Sequence, residues 1–131
     1  MNSTSVDIKN LLDADSGLGL TFATDLFVGR EPTSPSNTVT IFDAVGLSTE
    51  EALDDEGYDK LSIQIRVRNT SYENGFALAT QIKDFLHGRA NVTCGNTFYM
   101  GIYCISSPIL LDWDGNNRCR FIVNFLIIRR V

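Results

Sequence analysis

The stretch that most limits the folds open to this chain runs from Leu61 to Gly88, where a strand, a turn and a helix follow one another. Leu61, Ile63, Ile65 and Val67 alternate with Ser62, Gln64, Arg66 and Arg68, and at the two-residue period of a strand this gives one apolar and one polar face. Thr70 and Glu73 stand at the spacing of a capping box, in which each side chain satisfies a free backbone N–H at the start of a helix. Phe76, Ala79, Ile82 and Phe85 with Leu86 then recur every three or four positions as an apolar stripe, and Gly88 supplies the left-handed residue that closes such a helix. Strand and helix are predicted to pack face to face.

The remaining elements are shorter. Val6, Ile8, Leu11 and Leu12 predict a short N-terminal helix, broken between Asp13 and Gly19. Leu20 to Val28 and Thr38 to Ala44 read as strands, joined by a segment from Gly29 to Asn37 whose prolines and serines cannot sit inside a ladder. Arg89 to Asn96 reads as a loop, Thr97 to Ile105 as a strand, Ser106 to Asn117 as a connection, and Arg118 to Arg130 as the last strand. The order α-β-β-β-α-β-β predicts an α+β fold. Its sheet is mainly antiparallel with about five strands, the main helix packs on one face, and residues 1–131 are expected to form a single domain.

The last strand carries a second constraint. Cys119, Phe121, Val123, Phe125 and Ile127 share one face, while Ile122, Leu126 and Ile128 make the other face apolar as well. A sheet with one solvated face does not need this, so a helix, a second sheet or a neighbouring subunit must cover the strand. Burial under the N-terminal helix is the ordinary explanation.

Charge divides the chain in two. Residues 1–59 carry twelve acidic and two basic side chains, whereas residues 60–131 carry four acidic and nine basic ones. In a monomer the halves attract each other; in an oligomer the acidic part of one copy can face the basic part of the next. Five of the carboxylates, Glu50, Glu51, Asp54, Asp55 and Glu56, fall in one stretch between two strands, where such a run reads as solvated.

Residues able to carry chemistry are few. His87 is the single histidine and falls in the last turn of the main helix, where a cation suits the dipole better than catalysis explains it. Cys94, Cys104 and Cys119 are an odd number without metal-ligand spacing, and read as free thiols. Asp112, Asp114 and Asn116 imitate the opening of a calcium loop, but Asn117 replaces its glycine and Val123 its bidentate glutamate, so a turn explains them and no metal is expected. Arg66, Arg68, Arg118, Arg120, Arg129 and Arg130 form a basic strip if their two strands are neighbours. With a sequence pI near 4.7, carboxylates of the same or another chain suit that strip better than nucleic acid. No cofactor is expected and no apolar run is long enough to span a bilayer.

Three phrases resemble the tail terminator, or tail completion, proteins of long-tailed bacteriophages: VGREPTSPSNTVTIFDAVG, YDKLSIQIRVRNTSYENGFALATQIKDFL and RCRFIVNFLIIRR. The resemblance implies a non-enzymatic virion protein, made in the host cytoplasm, that assembles as a ring, usually a homohexamer, on the tail tube protein. Such a ring ends tail growth and presents a surface to a head-completion or neck protein, while DNA passes through its lumen without specific binding. The pattern of residues places subunit or partner contacts at Arg66, Arg68, Ile122, Leu126 and Ile128, with the Glu50 to Glu56 stretch facing the lumen or an axial partner. Two other readings stand beside this one. One is a different head-tail joining protein; the other is a monomeric ligand-binding domain or small enzyme with a pocket between helix and sheet.

Overall fold

The structure, a computed structural model, describes residues 1–44 and 58–130. Helix α1, Thr4–Ala14, starts where the Ser3 hydroxyl accepts the Val6 N–H at 3.3 Å. It buries Ile8 and Leu12, two members of the apolar set that predicted it. Helix α2, Tyr72–Leu86, buries Gly75, Ala79, Ile82 and Leu86. Its cap lies one residue later than the sequence suggests. Ser71, not Thr70, accepts the Asn74 N–H at 3.3 Å, because the Thr70 N–H is taken by the Asn37 side chain at 3.0 Å.

Six strands form one sheet in the order β1-β2-β3-β6-β5-β4. They are β1 (Leu26–Val28), β2 (Thr38–Ala44), β3 (Tyr58–Asn69), β4 (Ala90–Cys94), β5 (Thr97–Trp113) and β6 (Cys119–Arg130). Only β1 and β2 run parallel; every other neighbouring pair is antiparallel. The centre is the pair β3 and β6, in unbroken register from Tyr58 opposite Arg130 to Asn69 opposite Cys119.

Three local readings are corrected. Arg89 to Asn96 is not a loop, because Ala90–Cys94 form β4 and turn back through Gly95, at φ +58°, into β5. Ser106 to Trp113 is not a connection but the far half of β5, which tolerates Pro108 because its outer side has no described strand to bond. The first strand is shorter than Leu20 to Val28. The Thr21 carbonyl collects the N–H groups of Thr24, Asp25 and Leu26, and Ala23 sits at φ +68°, so a turn occupies that space.

Both helices lie on one face of the sheet. There they cover Ile63, Ile65 and Val67 of β3 and Phe121, Val123, Phe125 and Ile127 of β6, all at most 1% exposed. Gly75 allows α2 to approach closely: a Cβ there would stand 3.1 Å from the Phe121 ring and 3.2 Å from the Asn69 Cβ. The sheet bends far enough for α1 to touch both marginal strands, β1 and β4. Its Asp7 accepts a hydrogen bond from the Tyr99 hydroxyl of β5, and its Ser5 hydroxyl donates to Asp43 of β2 at 2.6 Å. The ordinary explanation for the two-sided β6 therefore fails, since α1 covers the same face as α2 and leaves Ile122, Leu126 and Ile128 on the other, half-buried.

Candidate assembly surface

The face without helices is divided along its length. At one end the arginines of β3 and β6 are drawn inward. Arg68 and Arg120 stand opposite each other, and both reach Glu31, at 3.3 and 3.1 Å. Arg68 also donates to the carbonyls of Ser36, at 3.1 Å, and Pro35, at 2.7 Å, while Arg118 donates to that of Thr33 at 2.6 Å. Three guanidinium groups thus fasten the segment after β1 to the end of the sheet, where Thr38 and Thr40 are also buried. Burial and the nearby Arg118 pull the Arg68 pKa down, and Glu31 opposes them. Arg120 is pushed the other way, first by its paired bonds to Asp112 at 2.6 Å.

These contacts account for a small part of the charge division in the sequence. Arg68 and Arg120 meet Glu31, and Arg129 meets Asp59 at 3.2 Å, so basic residues of the second half neutralise acidic ones of the first within one chain. Asp112 and Asp114 are absorbed in the same way. Asp114 accepts the N–H groups of Asn116 and Arg118 and the Arg118 guanidinium at 2.7 Å, which makes the loop an arginine-held turn.

At the other end the face is open. An open trough of about 560 Å³ runs between Phe42, Gln64, Arg66, Ile105, Ser106 and Asn124. Its polar groups bond one another across three strands: Arg66 to Gln64 at 3.2 Å, Gln64 to Asn124 at 3.2 Å, and Asn124 to Ser106 at 3.2 Å. Arg66 also lies over the Phe42 ring, 4.8 Å from its centre. Gln64, Asn124 and Ser106 thus hold one another in shape, while the buried Arg66 Nε makes no described hydrogen bond. Ile122, Leu126 and Ile128 flank this ladder on β6, in register with Arg66, Ser62 and Lys60. Of the five contact residues expected from sequence, Arg66, Ile122, Leu126 and Ile128 border open surface, whereas Arg68, 3% exposed, is held within the chain.

A further surface was not singled out by the sequence. The outer side of β5 pairs with β4 only as far as Gly101, after which Arg89 bonds Ile102 and the His87 Nδ1 accepts the Cys104 N–H at 2.9 Å. From Ile105 to Trp113 no described strand lies alongside, and Ile105, Ile109, Leu110, Leu111 and Trp113 are all exposed. Tyr72 and Phe76 of α2 extend the apolar surface around the Phe121 ring, at 5.0 and 5.9 Å. The signal was the apolar run Ile109-Leu110-Leu111, which Pro108 disguised as a turn.

The remaining candidates are accounted for locally. His87 caps α2 through its backbone N–H, while its imidazole Nδ1 accepts the Cys104 N–H and so fastens β5 instead of meeting the helix dipole as expected. The three cysteines are free thiols. Cys104 and Cys119 do not face one another, being opposite Phe125 and Trp113, and burial pushes the Cys94 and Cys119 thiols up. No group of three potential metal ligands occurs among the described residues. Glu50, Glu51, Asp54, Asp55 and Glu56 lie outside the described residues.

The comparisons with known proteins bear separately on fold and on family. One solved structure, titled "Virion of native gene transfer agent (GTA) particle", contains a chain of similar fold, with a TM-score of 0.74 and 16% identity over 98% of this chain and 95% of that one. No curated protein matches the sequence. The family model described as "Bacteriophage tail terminator protein" matches residues 11–130, from within α1 to the end of β6. A match over nearly the whole chain leads to one assignment: the chain belongs to the bacteriophage tail terminator family.

Proposed function

We propose that this phage tail structural protein closes the tail tube as a ring of identical copies, six being the expected number, which ends polymerisation and offers the surface to which the head attaches. The observation that carries the ring is the one-sided sheet. Both helices lie against one face, and the opposite face keeps Ile122, Leu126 and Ile128 half-buried beside an open trough. Apolar residues of this kind are ordinary on a surface that another subunit covers. Arg66 contributes a cation at the rim of that face. Arg68 serves it indirectly, by holding the segment that contains Pro35 and Ser36. The tube protein and a head-completion protein are the proposed axial partners.

The carboxylates from Glu50 to Glu56 enter the proposal through their charge alone. Facing the lumen, they keep passing DNA from adhering. Neutralising all five should slow DNA ejection while leaving ring formation intact; ejection at the wild-type rate would remove them from the lumen.

Light scattering across a range of concentration and salt, with negative-stain images of the heaviest species, tests the ring. The expected result is a discrete multimer with a central hole, and tails that overgrow when the chain is withheld. A chain that is monomeric both alone and on tail tubes overturns the reading.

A further inference from the structure

We infer that the trough on the helix-free face is a carboxylate site, and that it receives the acidic corner at the end of α1, formed by Asp13, Asp15 and Asp25, from a second copy of this chain. The inference rests on the ring reading above and deepens it by naming the two unlike surfaces that a head-to-tail ring joins.

The direction of the hydrogen bonds along the trough floor decides what it can bind. A guanidinium only donates, so the bond from Arg66 at 3.2 Å requires the Gln64 side-chain oxygen at that place. The Gln64 amide nitrogen then donates to the Asn124 oxygen at 3.2 Å, and the Asn124 amide nitrogen donates to the Ser106 hydroxyl, also at 3.2 Å. Ser106 accepts a second bond from the Asn124 backbone N–H at 3.3 Å. Each acceptor of the ladder is thereby engaged. One N–H of each amide, the Ser106 proton and the buried Arg66 Nε–H have no described acceptor, so what the floor still offers is donors.

Charge points the same way. Among the described residues Arg68, Arg118, Arg120 and Arg129 each meet a carboxylate, whereas Arg66 meets only Gln64 and the Phe42 ring. Asp112, whose field reaches Arg66, has both oxygens bonded to Arg120 at 2.6 Å. Asp43 borders the trough, but it alternates onto the helix side of β2 with Ile41 and accepts the Ser5 hydroxyl there. One cation among neutral N–H and O–H donors suits a single carboxylate; a run of phosphates calls for several cations.

The occupant follows from the carboxylates that the chain leaves without a cation. Glu31, Asp59, Asp84, Asp112 and Asp114 are paired, Asp7 and Asp43 accept hydroxyls, and Glu73 stands in the first turn of α2, where the dipole favours it. Asp13, Asp15 and Asp25 remain among the described residues. Each spends one oxygen on a backbone N–H, of Phe22, Leu18 and Thr21 respectively. They gather at the C-terminal end of α1, where the dipole adds negative charge and no basic residue stands in the last turn. Lys9, the one basic side chain before Arg30, lies over the Phe22 ring and leaves the corner net negative. This corner is on the side of the sheet that carries the helices and the trough is on the other, so only a second copy brings them together.

The test uses the full-length Arg66→Lys variant, which keeps the charge and adds a primary amine, treated with a water-soluble carbodiimide both as the purified protein and bound to tail tubes assembled without it. The expected result is chain-to-chain amide bonds from position 66 to Asp13, Asp15 or Asp25 in the cross-linked peptides. Bonds to residues 50–56, bonds only to tube protein, or none in either sample overturn the pairing. In parallel, Asp13→Asn, Asp15→Asn and Asp25→Asn together keep an oxygen for each backbone N–H, so the monomer should melt at an unchanged temperature while assembly weakens roughly tenfold or more. Undiminished affinity overturns the proposal. Retention of duplex DNA by the wild-type ring that Arg66→Gln abolishes would make phosphate the ligand and overturn it as well. Negative-stain images separate this inference from the ring reading. Rings without the amide bonds leave the ring standing and remove the pairing, and a chain monomeric in both samples removes both.

Discussion

Tyr99 and Asp7 join the first helix to the far side of the sheet, and both are almost fully buried, at 0 and 1% exposure. The carboxylate has one other described side-chain partner, the Asn2 amide at 3.4 Å. Tyr99→Phe removes the hydroxyl and leaves a buried acceptor short of a donor, so it should cost about 1.5–3 kcal/mol, the range for a hydrogen bond to a charged group; urea denaturation measures it. Burial first, then the bond to Asp7, pushes the Tyr99 pKa well above its ordinary value of 10.0. Its neutral form belongs to the fold, so its contribution is complete below about pH 10 and declines as the unfolded phenol ionises above it. The opposite sign holds for two aspartates. The hydrogen bond from Arg120 keeps Asp112 below the usual 3.8. For Asp114, burial acts against the charged form, but the N–H groups of Arg118 and Asn116 and the Arg118 guanidinium outweigh it, so its pKa also falls below 3.8. Their stabilisation is present above that value and is lost as pH falls through the depressed native pKa. Acid unfolding followed by circular dichroism should steepen below pH ~4, and Asp112→Asn should flatten it.

Helix α2 was legible because its apolar spacing and closing glycine agree with its packing; the two central strands were legible for the same reason. Gly75 adds what the pattern could not say. Its missing side chain decides how near α2 lies to β6, since the Phe121 ring that limits it is itself 1% exposed and flanked by Tyr72 and Phe76. Gly75→Val should destabilise the fold by about 1–3 kcal/mol through overpacking, seen as a lower midpoint in urea. Strand β4 was missed because Arg89, Asn91 and Gly95 obscure a short run of strand formers, although Gly95 and Asn96 form a recognised hairpin turn. The far half of β5 was missed because Pro108 was weighed as a breaker, a judgement that holds for an inner strand and fails on an open edge. The bracket of arginines around Glu31 was beyond sequence reading altogether. It depends on Glu31 meeting residues 37 and 89 positions away, and periodicity carries no information about such distances.

The whole molecule is a sheet backed on one side, with its most protected bonds at the centre. Hydrogen exchange should be slowest in β3 and β6, each paired on both sides, and fastest along β5 from Ile105 to Trp113, where the outer groups have no described strand beside them. The unbroken register of β3 with β6 has a geometric result of its own. It sends Ala44, Tyr58, the turn at Gly95 and Arg130 to one pole of the sheet, and the start of α2, the turn at Asp114 and the bracketed segment around Glu31 to the other. The subunit thus has a top and a bottom of different chemistry, and rotation about a single ring axis keeps every copy the same way up. The two rims of such a ring are as unlike as the two poles. In the proposed ring one rim would then be free to fit the tube and the other, of different composition, to fit the head.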